Sequence, residues 1–172
     1  MKDQKKNSIL IFLPTKDFNE TEYLTVKNYF VNKGKKVFIT SDDHTFCCGN
    51  KGLKVKSDVS FFNINEKNFD GFILIGGSGS RSYKSNPTLK KISEKFEESG
   101  KIIGAICSAP LILASAGLLK QATCFSEDRN QLIDSGVDYK DLPVVVDRNF
   151  ITADGPSSAG RFAETVFHSI YK

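Results

Sequence analysis

The chain has 172 residues, of which 40% are hydrophobic and 26% charged, with a formal net charge of +4 at pH 7. This length suits a single domain over residues 1–172 with one sizeable core, and the aromatic content of 14 Phe and 5 Tyr excludes an intrinsically disordered chain. The basic surplus forms no stripe, so we expect no nucleic-acid surface. The longest strictly aliphatic or aromatic run covers only residues 9–13, far short of the roughly 20 residues of a membrane-spanning helix. We therefore expect neither a membrane span nor an export signal.

Four cysteines are present: Cys47, Cys48, Cys107 and Cys124. They form no C-x-x-C pair and two of them are adjacent, which suits neither a zinc site nor a disulfide framework. We expect free thiols in a reducing cytoplasm, and no bound metal.

Short apolar runs alternate with helical patterns along the chain. The predicted elements, in order, are a strand at 9–13, a helix at 19–33, strands at 37–40, 53–55 and 71–75, a helix from Asn86-Pro87 to Gly100, a strand at 101–106, a helix at 108–116, a hairpin of 144–146 with 150–152, and a helix at 159–170. The rest of 42–68 is expected to be irregular. This alternation predicts an α/β fold, with a mostly parallel sheet covered by helices on both faces.

Cys107 has the sequence surroundings of a nucleophile elbow. Ala105 and Ala109 stand two residues before and after it, and a sharp strand-to-helix turn needs small residues there because the backbone passes close to itself. A helix N-terminus also favours a thiolate. The alternative is an ordinary buried cysteine, and the local pattern does not decide between the two.

A glycine-rich run at 76–80 (GGSGS) follows the strand predicted at 71–75. It is not a Walker loop, and Ser82 stands where a dinucleotide fingerprint has its third glycine, so nucleotide binding is disfavoured. Ligands of such sheets bind at the carboxyl ends of the strands. We therefore expect the amides of Gly76 or Gly77 and of Ser108 to form an oxyanion hole. The alternative is a turn that only lets the chain leave the sheet.

Glu22 admits two interpretations. Asn19 and Glu22 have the spacing of a capping box, in which the Glu22 carboxyl only accepts a backbone N–H. Alternatively, the carboxyl lies beside the Cys107 thiol, where burial and a nearby thiolate would raise its pKa and suit it to proton transfer. The spacing by itself favours the cap.

Neither histidine is an obvious base for Cys107. His168 falls on the polar side of the last predicted helix, and His44 falls beside Asp42 and Asp43 in the irregular segment, which indicates a surface turn.

A resemblance to the ThiJ/PfpI superfamily (DJ-one-like proteins, with a class I glutamine amidotransferase-like fold) is carried by four ordered segments: 17–22 (DFNETE), 75–77 (IGG), 103–110 (IGAICSAP) and 151–156 (ITADGP). It extends over nearly the whole chain. The resemblance implies a flavodoxin-like three-layer sandwich, a homodimer or larger oligomer, and no cofactor. It also implies that Cys107 is the reactive, oxidation-prone cysteine and that Glu22 is the acid that hydrogen-bonds its sulfur.

Three positions depart from the family pattern. Ser108 replaces the histidine that many members have after the cysteine, and Phe125 stands where deglycase-like members have theirs. Asp154 stands where those members often have an arginine, and a negative charge there disfavours a thiolate. Protease-type Cys–His chemistry is therefore not expected, and proton transfer would fall to Glu22.

Two functions follow as hypotheses. The first is a cofactor-free enzyme of glyoxalase III or deglycase type, in which the Cys107 thiolate adds to a small reactive carbonyl such as methylglyoxal and a 2-hydroxy acid leaves. The second is a redox-responsive or chaperone-like dimer in which an oxidant converts Cys107 to sulfinic acid, with Glu22 stabilising that state. A scaffold without activity is a third possibility. Glu127 or Asp128, just past Phe125, is a candidate substitute for the missing base.

Overall fold

The computed structural model describes residues 5–42 and 46–172. Its strands are β1 (Ser8–Phe12), β2 (Lys16–Phe18), β3 (Lys36–Ser41), β4 (Phe46–Gly49), β5 (Lys54–Lys56), β6 (Val59–Ser60), β7 (Gly71–Leu74), β8 (Ile102–Ile106), β9 (Gln121–Ala122), β10 (Asp138–Tyr139), β11 (Val144–Asp147) and β12 (Phe150–Ala153). Its α-helices are α1 (Glu20–Asn32), α2 (Pro87–Glu98), α3 (Pro110–Ser115), α4 (Arg129–Asp134) and α5 (Ala159–Tyr171). Short 3-10 turns lie at Phe61–Asn63, Glu66–Asn68, Ser78–Tyr83, Ser126–Asp128 and Pro156–Ser158.

Seven of the described strands form the central sheet, in the order β11-β12-β8-β7-β1-β3-β6. Neighbours in this sheet run parallel, apart from β11 and β12, which form the predicted antiparallel hairpin. Parallel neighbours need a crossover connection, usually a helix, which explains the strand–helix alternation of the sequence. The α/β fold class is confirmed.

The central strand β1 separates two hydrophobic cores. Ile9 and Ile11 belong to the core that α1 and α5 cover, whereas Leu10 and Phe12 belong to the core that α2 and α3 cover. All four side chains are fully buried, as in a parallel sheet that has helices on both faces. This arrangement is the three-layer, flavodoxin-like sandwich that the resemblance implied.

The helix ends follow the capping residues of the sequence. Asn86 caps α2 by accepting the Leu89 backbone N–H at 2.9 Å, with Pro87 as the first helical residue. Gly100 has a φ of +66° just after the same helix, a conformation that glycine adopts without steric cost. On α5, His168 is exposed as predicted. Within the described residues, no helix is both long and apolar enough to cross a membrane.

Residues 46–68 contain more regular structure than the sequence predicted. β4 and β5 join β2 in a smaller sheet, and β6 adds to the edge of the central one. The strand expected at 53–55 lies at Lys54–Lys56, and β4 occupies the Cys-Cys-Gly segment that was expected to be a turn. β4 and β6, which the sequence did not predict, depend on pairing with distant segments, and a local pattern does not reveal such pairing. The turn predicted around His44 lies outside the described residues.

Candidate active site

Cys107 lies on a strained turn at the carboxyl end of β8. Its φ is +64°, a left-handed conformation that costs a non-glycine residue about 1–2 kcal/mol. Two backbone hydrogen bonds hold it there, from Cys107 N–H to Ala153 O at 2.9 Å and from Phe125 N–H to Cys107 O at 2.8 Å. Ala105 and Ala109 on either side are fully buried. The elbow predicted from these small residues is present, and a strained residue held by its surroundings points to a functional position.

Glu22 lies in the first turn of α1 with its side chain fully buried. Its backbone N–H donates to Asn19 Oδ1 at 3.0 Å, so Asn19 does cap the helix. The reciprocal half of a capping box is not formed, because the Asn19 N–H donates to Gly76 O at 2.9 Å. The Glu22 carboxyl accepts the Gly76 N–H at 3.0 Å instead. The cap interpretation is therefore wrong for the side chain, which turns towards the strand end and the elbow.

The Glu22 carboxyl also has the Cys107 thiol as a hydrogen-bonding neighbour. Its Oε1 is buried and has no hydrogen-bond partner within the described residues. Burial raises the pKa of Glu22 from 4.5 to about 7, against the opposing effects of the Cys107 thiol and the Gly76 N–H. Burial therefore brings the pKa of this carboxyl close to neutral pH.

The same environment holds Cys107 as a thiol. Its pKa is raised from 9.0 to about 12, mainly by burial and also by the charge and hydrogen bonding of Glu22, while the Gly77 N–H and the Ser108 hydroxyl oppose the increase. The negative neighbour that acts on this thiol is Glu22. Asp154, which the sequence suggested for that effect, accepts a hydrogen bond from Ser158 Oγ.

The glycine pair after β7 allows the backbone to approach the elbow. A Cβ atom on Gly76 would lie 2.5 Å from Ile106 O and 2.6 Å from Cys107 Cβ. One on Gly77, whose φ is +111°, would lie 2.3 Å from Asp17 O. All three distances are too short for a residue with a side chain at either position. The predicted oxyanion role of Gly76 needs correction, because its N–H is engaged with Glu22. Gly77 and Ser108 remain as the predicted donors.

No histidine within the described residues accompanies the thiol, since His168 is exposed on α5. Phe125 is the residue that the resemblance aligned with the histidine of deglycase-like members. Its ring lies near Gly155, with Cδ2 3.6 Å from where a Cβ on that glycine would be, and it packs in the same core as Cys107. Across the described residues, no group of three or more His, Cys, Asp or Glu side chains could hold a metal ion.

Arg81 and Asp128 form an ion pair that the sequence analysis missed. Arg81 Nε donates to Asp128 Oδ1 at 2.9 Å and Nη2 to Oδ2 at 3.4 Å, and Asp128 is only 1% exposed. Glu127 lies 3.6 Å from the same guanidinium. Asp128, considered from sequence as a substitute base, is thus bound to a cation. Because 47 residues separate the two partners, no local motif could have revealed the pair.

Two features define the class of protein. They are an α/β sandwich and a strained cysteine that follows a β-strand and lies beside a buried acid. The chain matches the DJ-1/PfpI family over residues 7–169. It belongs to that family.

Individual relatives match over most of their length. An uncharacterized protein of Methanocaldococcus jannaschii is 33% identical over 175 residues, covering 99% of this chain and 85% of the relative. A protein named deglycase PfpI from Pyrococcus furiosus is 32% identical over 149 residues, covering 86% and 90%. A glutathione-independent glyoxalase of Caenorhabditis elegans is 29% identical over 167 residues, covering 96% and 89%. Among solved structures, a ThiJ/PfpI domain protein from Brachyspira murdochii superposes with a TM-score of 0.92 at 28% identity, covering 96% of both chains.

Proposed function

We propose that this protein is a cofactor-free enzyme that converts small 2-oxoaldehydes such as methylglyoxal into 2-hydroxy acids, with Cys107 as the nucleophile and Glu22 as the acid–base. The observation that carries the proposal is a buried carboxyl with a pKa of about 7 next to the elbow thiol. A group that titrates near the working pH is well suited to give and take protons. The names of the Pyrococcus and Caenorhabditis relatives, a deglycase and a glyoxalase, support the same chemistry.

In the first step, Cys107 Sγ bonds to the aldehyde carbon while the thiol proton passes to the ionised Glu22. The resting sulfur is protonated because its pKa is about 12, so proton removal and attack belong to the same step. The aldehyde oxygen becomes negative and accepts hydrogen bonds from the Gly77 and Ser108 amides. Glu22 then returns the proton to that oxygen, which leaves a hemithioacetal.

The second step moves a hydrogen from the aldehyde carbon to the neighbouring ketone carbon. Glu22 removes the proton from the former aldehyde carbon, which leaves an enediolate. Return of this proton to the neighbouring carbon, with transfer of the hydroxyl proton from the first oxygen to the second, gives a thioester of the 2-hydroxy acid. One carbon is thereby oxidised and the other reduced within the same molecule. Water then cleaves the thioester, releasing the acid and the Cys107 thiol. The net reaction consumes one water and needs no external oxidant or reductant.

The redox-responsive alternative is less well supported by the site. Oxidation by peroxide proceeds through the thiolate, and both burial and Glu22 oppose thiolate formation at Cys107. Intact protein under mild peroxide should therefore gain little oxygen at Cys107 in the time that a typical low-pKa sensor cysteine is oxidised. Rapid and selective gain of two oxygens there would favour the alternative.

The direct test is lactate formation from methylglyoxal by reduced, EDTA-treated protein. We expect many turnovers for the wild type, a loss of at least about 100-fold in Glu22→Gln, and none for Cys107→Ser. Cys48→Ser is the matched control, because Cys48 is a partly accessible thiol outside the elbow that consumes aldehyde without catalysis. Lactate formation that survives in Cys107→Ser, or full turnover in Glu22→Gln, would contradict the mechanism.

The homodimer and the cytoplasmic location stay predictions, and analytical sedimentation tests the homodimer.

A further inference from the structure

The ion pair between Arg81 and Asp128 joins two segments that both hold the elbow. Arg81 lies on the turn Ser78–Tyr83, which starts directly after Gly77, whose amide faces the Cys107 sulfur. Asp128 ends the turn Ser126–Asp128, and its N–H donates to Phe125 O at 2.9 Å. Phe125 in turn donates its N–H to the carbonyl of Cys107. The pair therefore connects the two walls of the site across the elbow.

The two charges of the pair differ in their exposure to solvent. The Asp128 carboxylate is buried, and a buried carboxylate is stable only when it is paired and hydrogen-bonded, which the Arg81 fork provides. The Arg81 side chain is 36% exposed, so its positive charge is fixed by Asp128 at the border between the interior and solvent. The hydrogen bond that Arg81 donates to Asp128 raises the pKa of Arg81 and burial opposes the increase, while negative charge on Asp128, on Glu127 and on Cys107 when it is ionised adds to it.

We propose that Arg81 and Asp128 are a positioning pair that sets the reactivity of the Cys107 thiol, with Arg81 supplying a positive charge beside the elbow and Asp128 partly neutralising that charge. Neither residue needs to contact the substrate. The inference rests on the proposed function only in taking Cys107 as the reacting group. The charged groups on the segments packed around the elbow include Lys16, Asp17, Glu20, Glu22, Arg81, Glu127, Asp128 and Asp154.

The two members of the pair should act in opposite directions on the thiol. Removing the Arg81 charge takes away a cation that stabilises the thiolate, and removing the Asp128 charge strengthens the effect of that cation. A pair that only holds the two turns together would instead give changes of the same sign. The sign of the change therefore distinguishes an electrostatic role from a merely structural one.

The experiment measures the rate of iodoacetamide alkylation at Cys107 between pH 7 and 9, resolved by peptide mass spectrometry. Well below the thiol pKa this rate is proportional to the thiolate fraction. We expect alkylation to be roughly three- to tenfold slower in Arg81→Gln, roughly threefold faster in Asp128→Asn, and within about twofold of the wild type in Arg81→Lys. Alkylation that changes in the same direction in Arg81→Gln and Asp128→Asn would overturn the proposal.

Arg148→Gln is the matched control. Arg148 is also partly exposed and paired with carboxylates, Glu97 at 3.5 Å and Asp147 at 3.4 Å. It lies in the β11–β12 turn, at the opposite end of the strands from the elbow, because Phe150 pairs with Ile103 near the start of β8. We expect its loss to leave alkylation of Cys107 unchanged, and an effect equal to that of Arg81→Gln would overturn the proposal.

If Asp128→Asn fails to fold, the comparison of Arg81→Gln with Arg81→Lys decides, because lysine retains the charge. Equal slowing in both would overturn the electrostatic role. The alkylation assay needs no substrate, so wild-type protein that forms no lactate refutes the proposed function and leaves this inference to be judged on its own result.

Discussion

Replacing Glu22 by Gln should stabilise the protein at alkaline pH while it lowers turnover by at least about 100-fold. The wild-type carboxyl must ionise inside the protein as the pH rises, and burial opposes that ionisation. Glutamine has nearly the same shape, still offers an oxygen to the Gly76 N–H, and does not ionise. The variant therefore removes a destabilising charge without emptying the site.

The magnitude follows from the two pKa values of Glu22, 4.5 without the protein environment and about 7 within it. The difference of about 2.5 pH units, at about 1.36 kcal/mol per unit, corresponds to about 3 kcal/mol. Between these values the folded state binds more protons than the unfolded state, so the free energy of unfolding of the wild type falls as the pH rises. The contribution of Glu22 is complete below pH 4.5 and is lost as the pH passes through 7.

Urea denaturation of both proteins at pH 4.5, 5.5, 6.5, 7.5 and 8.5, under reducing conditions, measures this effect. We expect the stability of Glu22→Gln relative to the wild type to increase by about 3 kcal/mol across that series. Any constant difference from altered packing cancels, because only the change with pH is used.

Glu164→Gln on α5 is the control, since Glu164 is exposed and its neutralisation should give a nearly flat profile. A flat profile for Glu22→Gln, or a relative stability that decreases with pH, would refute the assignment of a buried acid that titrates near neutrality.

Three further predictions concern the elbow and its supports. Gly76→Ala places a Cβ 2.5 Å from a backbone oxygen, so it should lower the free energy of unfolding by about 1–3 kcal/mol and abolish lactate formation. Gly160→Ala, whose Cβ meets no atom within 4 Å, should leave stability and activity intact, and equal effects of the two variants would contradict a steric role for Gly76. Asn19→Ala and Asn86→Ala remove equivalent helix caps and should each cost about 1 kcal/mol in denaturation, but only Asn19→Ala should reduce turnover, because its helix start carries the acid. Ser108→Ala removes a hydroxyl that lowers the pKa of the neighbouring thiol, so alkylation at the elbow should slow by roughly threefold, and an unchanged or faster rate would contradict that contact.

The sequence predicts the scaffold well where local chemistry decides the structure. The run of Ile9 to Phe12 has the length and branching of a buried strand, and the Asn86-Pro87 pair marks the start of α2, because both signals depend on neighbouring residues. The elbow at Cys107 is local for the same reason. By contrast, β4 depends on pairing with β2 and β5, and its own residues resemble a turn.

The site is only partly readable from sequence because its contacts join distant segments. The spacing of Asn19 and Glu22 fits both a capping box and a buried acid. The structure distinguishes these alternatives, because Gly76 accepts the Asn19 N–H and donates its own N–H to the Glu22 carboxyl. Likewise, Arg81 has no local feature that indicates its partner Asp128. The prediction that Glu22 is a site residue comes from the resemblance to known proteins rather than from spacing.

The two backbone hydrogen bonds of Cys107 give the elbow a built-in spectroscopic reporter. Its own amide proton is bound to Ala153 and its carbonyl oxygen accepts the amide proton of Phe125. Any adduct that shifts the elbow backbone must therefore lengthen or shorten one of these bonds, and amide proton chemical shifts follow such changes closely. In a nitrogen-15 spectrum, the Cys107 and Phe125 signals would register occupation of the sulfur by aldehyde, alkyl group or oxygen without any label at the sulfur itself.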